Sequence, residues 1–128
     1  MANPISRELR TGTIGELLVQ LRLLQFDVQA APPLKDSGND LIALRGYVMR
    51  TIQVKTSAVR LPALRRLPER YHLLALVMLA GEGTDLWLDQ SGIYLIPRAA
   101  LPLSPMTATA LAPYRLDQAL VDQLFAGP

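Results

Sequence analysis

The stretch Gly38-Asn39-Asp40-Leu41-Ile42-Ala43-Leu44-Arg45-Gly46-Tyr47-Val48-Met49-Arg50-Thr51-Ile52-Gln53-Val54-Lys55-Thr56 decides how this chain is read. Asp40 to Leu44 and Val48 to Thr56 have the apolar, β-branched character of strands around Arg45-Gly46-Tyr47, and the whole predicts a hairpin. Side chains two apart on a strand share a face, so Gln53 and Lys55 project together and Ile52, Val54 and Thr56 project oppositely. If Gly46-Tyr47 is the loop, Arg45 pairs with Val48, and counting outward sets Asp40 opposite Gln53. Asp40, Gln53 and Lys55 then converge on one patch. A three-residue turn would send Asp40 to the other face.

Such a patch offers hard oxygen ligands: the Asp40 carboxylate, the Gln53 side-chain oxygen and the Val54 main-chain carbonyl. These suit magnesium, which binds oxygen at about 2.0–2.1 Å and keeps several waters. One of those waters can become a nucleophile. Lys55 is placed to offset charge developing on a phosphate or to orient the water. The parts fit phosphodiester hydrolysis.

Outward from the hairpin, Ile14, Leu17, Leu18, Leu21 and Leu24 form one apolar helical stripe, predicting a helix over Thr13 to Gln25 with an alternative start near Ser6. Glu16 has two readings there. It fits a capping box with Thr13, and it also fits a ligand position. Phe26 to Ala30 alternates as a short strand before Pro32-Pro33. Arg60 to Arg70 is basic and proline-broken, a loop or short helix. Tyr71 to Ala80, Asp85 to Asp89 and Ile93 to Pro97 read as strands, Arg98 to Pro113 as loop, and Asp117 to Phe125 as a last helix with Asp117 as its N-cap. Strands apolar on both faces imply a central sheet covered on both sides, an α/β class in the order α-β-β-β-α/loop-β-β-α.

The succession Gly15-Glu16 on a helix, Asp40-Leu41-Ile42, then Gln53-Val54-Lys55-Thr56 resembles the PD-(D/E)xK nuclease superfamily, in particular its small stand-alone members similar to archaeal Holliday-junction resolvases. The likeness runs from about Gly12 to Pro97. It implies a restriction-endonuclease-like core of helix, three strands, helix and strand, with a central mixed sheet flanked by helices. It also implies DNA cleavage dependent on magnesium, or on manganese in its place. Carried over by position, Glu16 matches the helix glutamate that helps hold metal or water. Asp40 matches the central metal ligand, and Lys55 the catalytic lysine. Gln53 stands where the family usually has Asp or Glu. The chain departs from the pattern twice: Asn39, not proline, precedes Asp40, and Gln53 brings no negative charge.

The composition sets the bounds. At 128 residues the chain suits a single domain over 1–128. Half the residues are apolar and mean hydropathy is positive, against a disordered chain. The longest apolar run, Leu73 to Ala80, is far short of the roughly 20 residues of a membrane span. Met1 to Thr13 has no apolar signal-peptide core, so a cytoplasmic protein without membrane contact is expected. With no cysteine and only His72, thiol catalysis, Cys-type zinc sites and most Ser-His-Asp arrangements fall away. His72 itself reads as structural.

Eleven of the thirteen basic residues are arginine, and only Lys35 and Lys55 are lysine. Arg60, Arg65, Arg66 and Arg70, with Lys35, read either as solvated loop or as a phosphate-contacting edge toward DNA. Trp87 and Tyr94 read as core or interface. A homodimer follows from function, since two active sites are needed to cut both strands. Three functions stay open: a metal-dependent DNA endonuclease, structure-selective or junction-resolving in form; a catalytically inactive nuclease-like module that binds DNA or protein; and a small-molecule domain with Asp40 and Lys55 as a structural ion pair.

Overall fold

The computed structural model describes residues 5–35, 38–58, 61, 64, 67–103 and 105–127. It is α/β, with a five-stranded mixed sheet at its centre. Helix α1 (Arg7–Leu24) starts at Ser6, whose hydroxyl accepts from the Leu9 amide at 3.1 Å. The earlier of the two expected starts is therefore the one used. Thr13 lies inside the helix with its hydroxyl donating to the Leu9 carbonyl, so no capping box involves Glu16. The helix stops at Asp27, whose φ of 63° turns the chain while the Val28 amide bonds back to the Leu23 carbonyl. That left-handed residue also delays the first strand: β1 is Gln29–Ala31, three residues later than the alternation of Phe26 to Ala30 predicts.

Strands β2 (Leu41–Arg45) and β3 (Val48–Ser57) form the expected hairpin, with Arg45 against Val48 and Leu41 against Ile52. Gly46, at φ 61°, lets the two-residue turn close. Then β3 runs parallel to β4 (Leu73–Met78), and β4 antiparallel to β7 (Gly92–Pro97), giving the order β1-β2-β3-β4-β7. Between β4 and β7, β5 (Gly81–Glu82) and β6 (Asp85–Leu86) make a small ribbon. Trp87 follows it and is 52% exposed, outside the core. The expected Arg98–Pro113 loop contains a one-turn helix, α2 (Ala108–Leu111), capped by Thr107. The last helix, α3 (Gln118–Leu124), has Asp117 as N-cap, accepting from the Leu120 amide at 2.8 Å.

The alternation of β4 decides the layers. Leu73, Ala75 and Val77 face α1 and α3, and pack with Ile52, Val54, Leu18, Val19, Val121 and Phe125. Leu74 and Leu76 face the other way, toward Tyr71, Ile96 and Leu111. A parallel β3–β4 pair requires a crossover. The resemblance implies a helix there, but the described residues of 58–72 form neither helix nor strand. Leu61, Leu64 and Leu67 instead cover the second face, together with Leu101, Leu103 and Met106. The apolar residues of α3 are core. Among the described residues no helix is long and apolar enough to cross a membrane.

Candidate functional site

Beyond Leu41, β2 ends while β3 continues, so Gln53 to Ser57 is paired only with β4. Asp40 stands at this open edge. Its amide donates to the Ile52 carbonyl at 3.1 Å, and its Oδ2 accepts from the Val54 amide at 2.8 Å. The carboxylate thus takes the place of the missing strand. A residue's N–H and C=O leave a strand on one edge, so the Val54 carbonyl faces the edge that Asp40 occupies. One step beyond the Leu41–Ile52 pair, Asp40 faces Gln53 in the register. Gln53 and Lys55 share the face opposite Ile52 and Val54, as period two requires.

Glu16 comes from the other layer. Its helix crosses β3 at Gly15, where a Cβ would overlap the Thr56 side chain. That close approach carries Glu16 to the open edge, within electrostatic reach of Asp40. Burial, and then the Asp40 charge, raise the Glu16 carboxyl above its usual range. Two acidic side chains within electrostatic reach of each other at half-buried positions favour a cation between them.

The polar atoms here are unsatisfied. Among the described residues, the buried side-chain atoms without a hydrogen-bond partner are Asn39 Oδ1, Gln53 Oε1 and Thr56 Oγ1, all in this region. Each such group costs about 1–3 kcal/mol. Lys55 is half-buried and forms no ion pair; the one found among the described residues joins Arg45 to Asp122. The structural Asp40–Lys55 pair is therefore not formed. No three His, Cys, Asp or Glu side chains gather as a metal-binding set among the described residues. A cation at this edge would rely on Asp40 and Glu16 plus two neutral oxygens, Gln53 Oε1 and the Val54 carbonyl. The orphaned Gln53 Oε1 fits such a hard, oxygen-ligated ion.

The basic residues divide. Arg60, Arg65 and Arg66 lie outside the described residues. Lys35 is exposed on the connection before Gly38. Arg70 is exposed and lines a cleft of about 360 Å³ with Asn39, Thr51, Tyr71, His72 and Arg98. His72 has a partner that the sequence did not reveal: its Nδ1 accepts from the Thr51 amide at 2.9 Å. Arg98 was also not legible in advance, because only the pairing of Leu73 with Pro97 sets it beside His72. A larger cleft of about 540 Å³ lies between the start of α1 and Leu79 to Leu86, and none of the described candidate site residues lines it.

No protein-family model matches the chain, and no curated protein is similar to it by sequence. Among solved structures, the bacterial homing endonuclease I-Ssp6803I is similar over 94% of both chains, at 18% identity and a TM-score of 0.62. The fold is thus shared with a nuclease.

Proposed function

We propose that this protein is a metal-dependent DNA endonuclease of the PD-(D/E)xK type. The observation that carries the reading is the buried Gln53 Oε1 left without a hydrogen-bond partner at the open strand edge, beside Asp40 and a Lys55 that has no ion pair among the described residues. A fold cost of this kind is offset when a ligand completes the site. The fold likeness to a homing endonuclease supports DNA as the substrate.

Asp40, Gln53 Oε1, the Val54 carbonyl and Glu16 would hold magnesium, or manganese in its place. When bound, the ion supplies Lewis-acid stabilisation of the phosphate and acidifies water. The chain's own groups do the rest. The Val54 amide holds Asp40 Oδ2, which fixes the carboxylate and leaves Oδ1 to the ligand. Glu16 takes a proton from the attacking water. Water adds to phosphorus in line, the opposite P–O bond breaks, and Lys55 Nζ offsets the charge that builds on the phosphate. Lys35 and Arg70, with Arg60, Arg65 and Arg66 outside the described residues, would supply the phosphate contacts.

Association of two copies would place two such edges on a duplex or junction. The exposed stripe Leu17, Leu21 and Leu24 on α1, and Ile42, Leu44 and Met49 on the hairpin, support it.

The test is cleavage of labelled linear, single-stranded and four-way-junction DNA with magnesium, manganese or EDTA. Metal-dependent cleavage is expected, reduced at least about 100-fold by Asp40→Ala and by Lys55→Ala. The preferred form of DNA would decide whether the enzyme is structure-selective. Binding insensitive to EDTA, without cleavage of any substrate, would replace this reading with an inactive nuclease-like module. The neutral Gln53 gives that alternative its footing.

A further inference from the structure

The cleft of Asn39, Thr51, Arg70, Tyr71, His72 and Arg98 is polar, with two guanidinium groups and an imidazole on its lining. His72 Nδ1 accepts from the Thr51 amide, so the ring hydrogen sits on Nε2, at an exposed residue. The Arg98 guanidinium lies 5.6 Å from the centroid of the Tyr71 ring. Its amide donates to the His72 carbonyl at 3.0 Å. Stacking and backbone pairing both fix Arg98 in advance of any ligand. Arg70 comes from the crossover between β3 and β4 and lines the same cleft. Among the described residues, neither arginine has a carboxylate partner and no acidic residue lines the cleft. Two guanidinium groups and an imidazole N–H brought together without a carboxylate among the described residues define an anion site, and planar guanidinium groups favour phosphate.

Its place in the fold narrows the ligand. Asn39 precedes Asp40 in the chain. Thr51 and Gln53 share a face of β3, about 6.6 Å apart by the strand repeat. The cleft therefore lies one step along the strand from the open edge, a distance comparable to one nucleotide of a nucleic-acid backbone. We infer that this cleft holds a backbone phosphate of the DNA strand, next to the phosphate presented to Asp40 and Lys55. This rests on the nuclease reading for what happens at the neighbouring phosphate. Arg70 and Arg98 are positioning residues, setting where along the strand the reacting phosphate falls.

The experiment is equilibrium binding of the full chain to linear, single-stranded and four-way-junction DNA in EDTA, over a series of KCl concentrations. Thermal melting confirms that each variant is folded. Wild type is compared with Arg70→Ala/Arg98→Ala, with the charge-preserving Arg70→Lys/Arg98→Lys, and with Arg22→Ala on α1 as a control. The alanine pair is expected to weaken binding about tenfold and to flatten the slope of log K against log salt by about 1, one phosphate contact. The lysine pair should keep most of the slope, and Arg22→Ala should leave it unchanged. An unchanged slope in the alanine pair, an equal loss in the control, or no DNA binding by wild type overturns the inference. Cleavage in magnesium is scored separately. Wild type that binds with the expected slopes but cuts nothing keeps the phosphate cleft and removes the nuclease reading. Wild type that cuts while the alanine pair binds as it does removes the cleft alone.

Discussion

The β2–β3 hairpin carries charge at both ends and treats it in opposite ways. Near the turn, every arginine is answered. Arg45 Nη2 meets Asp122 Oδ1 at 2.7 Å, and its Nη1 the Val121 carbonyl at 3.3 Å. Arg50 Nε donates to the Leu124 carbonyl at 3.0 Å, and its Nη2 to the Ala126 carbonyl at 3.0 Å. Leu124 ends α3 and Ala126 lies just past it, so Arg50 closes the C-terminal end of the helix, where the dipole also favours a cation. At the far end, Gln53 Oε1 and Thr56 Oγ1 are buried without partners, Lys55 has no counter-ion among the described residues, and Glu16 is set against Asp40. Fifteen or so ångströms of one hairpin separate groups that hold the fold from groups the fold leaves unused. The polar groups near the turn are satisfied within the fold, whereas those at the far end are left without partners.

That contrast can be broken by mutation. The largest expected effect is at Gly15, which brings the open edge and α1 together. Gly15→Ala drives a methyl into Thr56 and should cost about 3 kcal/mol, lowering Tm by roughly 10 °C. Thr56→Gly in the same chain should restore part of that loss, and no restoration would mean the contact is not what limits packing. Next, Arg50→Ala should cost about 2 kcal/mol by uncapping α3, with DNA cleavage intact below the new Tm. Lys55→Ala should do the reverse, changing stability by no more than about 0.5 kcal/mol while removing cleavage. If Lys55→Ala melts several degrees lower, Lys55 belongs with the structural arginines and the contrast fails.

The smallest effect is at Glu16. Its carboxyl is raised in the folded state, so the folded protein holds that proton more tightly than the unfolded chain does. Stability from this group is therefore present at low pH and lost as pH rises through the folded pKa. Glu16→Gln should melt about 1–3 °C above wild type at pH 7, since solvent screening keeps the effect small. The gap should close as pH falls below the ordinary carboxylate range. A gap that persists at low pH would trace the effect to packing rather than to charge.

Local chemistry made much of this legible. Strand periodicity alone put Gln53 and Lys55 on one face, and a two-residue turn at Gly46-Tyr47, one of two choices the sequence left open, is the one that sets Asp40 opposite Gln53. Asp117 announced the last helix by its capping chemistry. The spacing of Glu16, Asp40, Gln53 and Lys55 carried the resemblance from which the site was first assembled.

What the sequence by itself determined about this protein is therefore periodicity, turns and the α/β class. Only the tertiary structure decided which of two possible helix starts is used, that β3 runs parallel to β4, and that Arg98 comes to lie beside His72. Only it separated the arginines that close α3 from those that line an open cleft, and released Glu16 from a cap to stand against Asp40. The reason is physical. A turn or a strand face is fixed by a few neighbouring residues, whereas a partner across the sheet is chosen by the burial of a whole core, which no local pattern encodes.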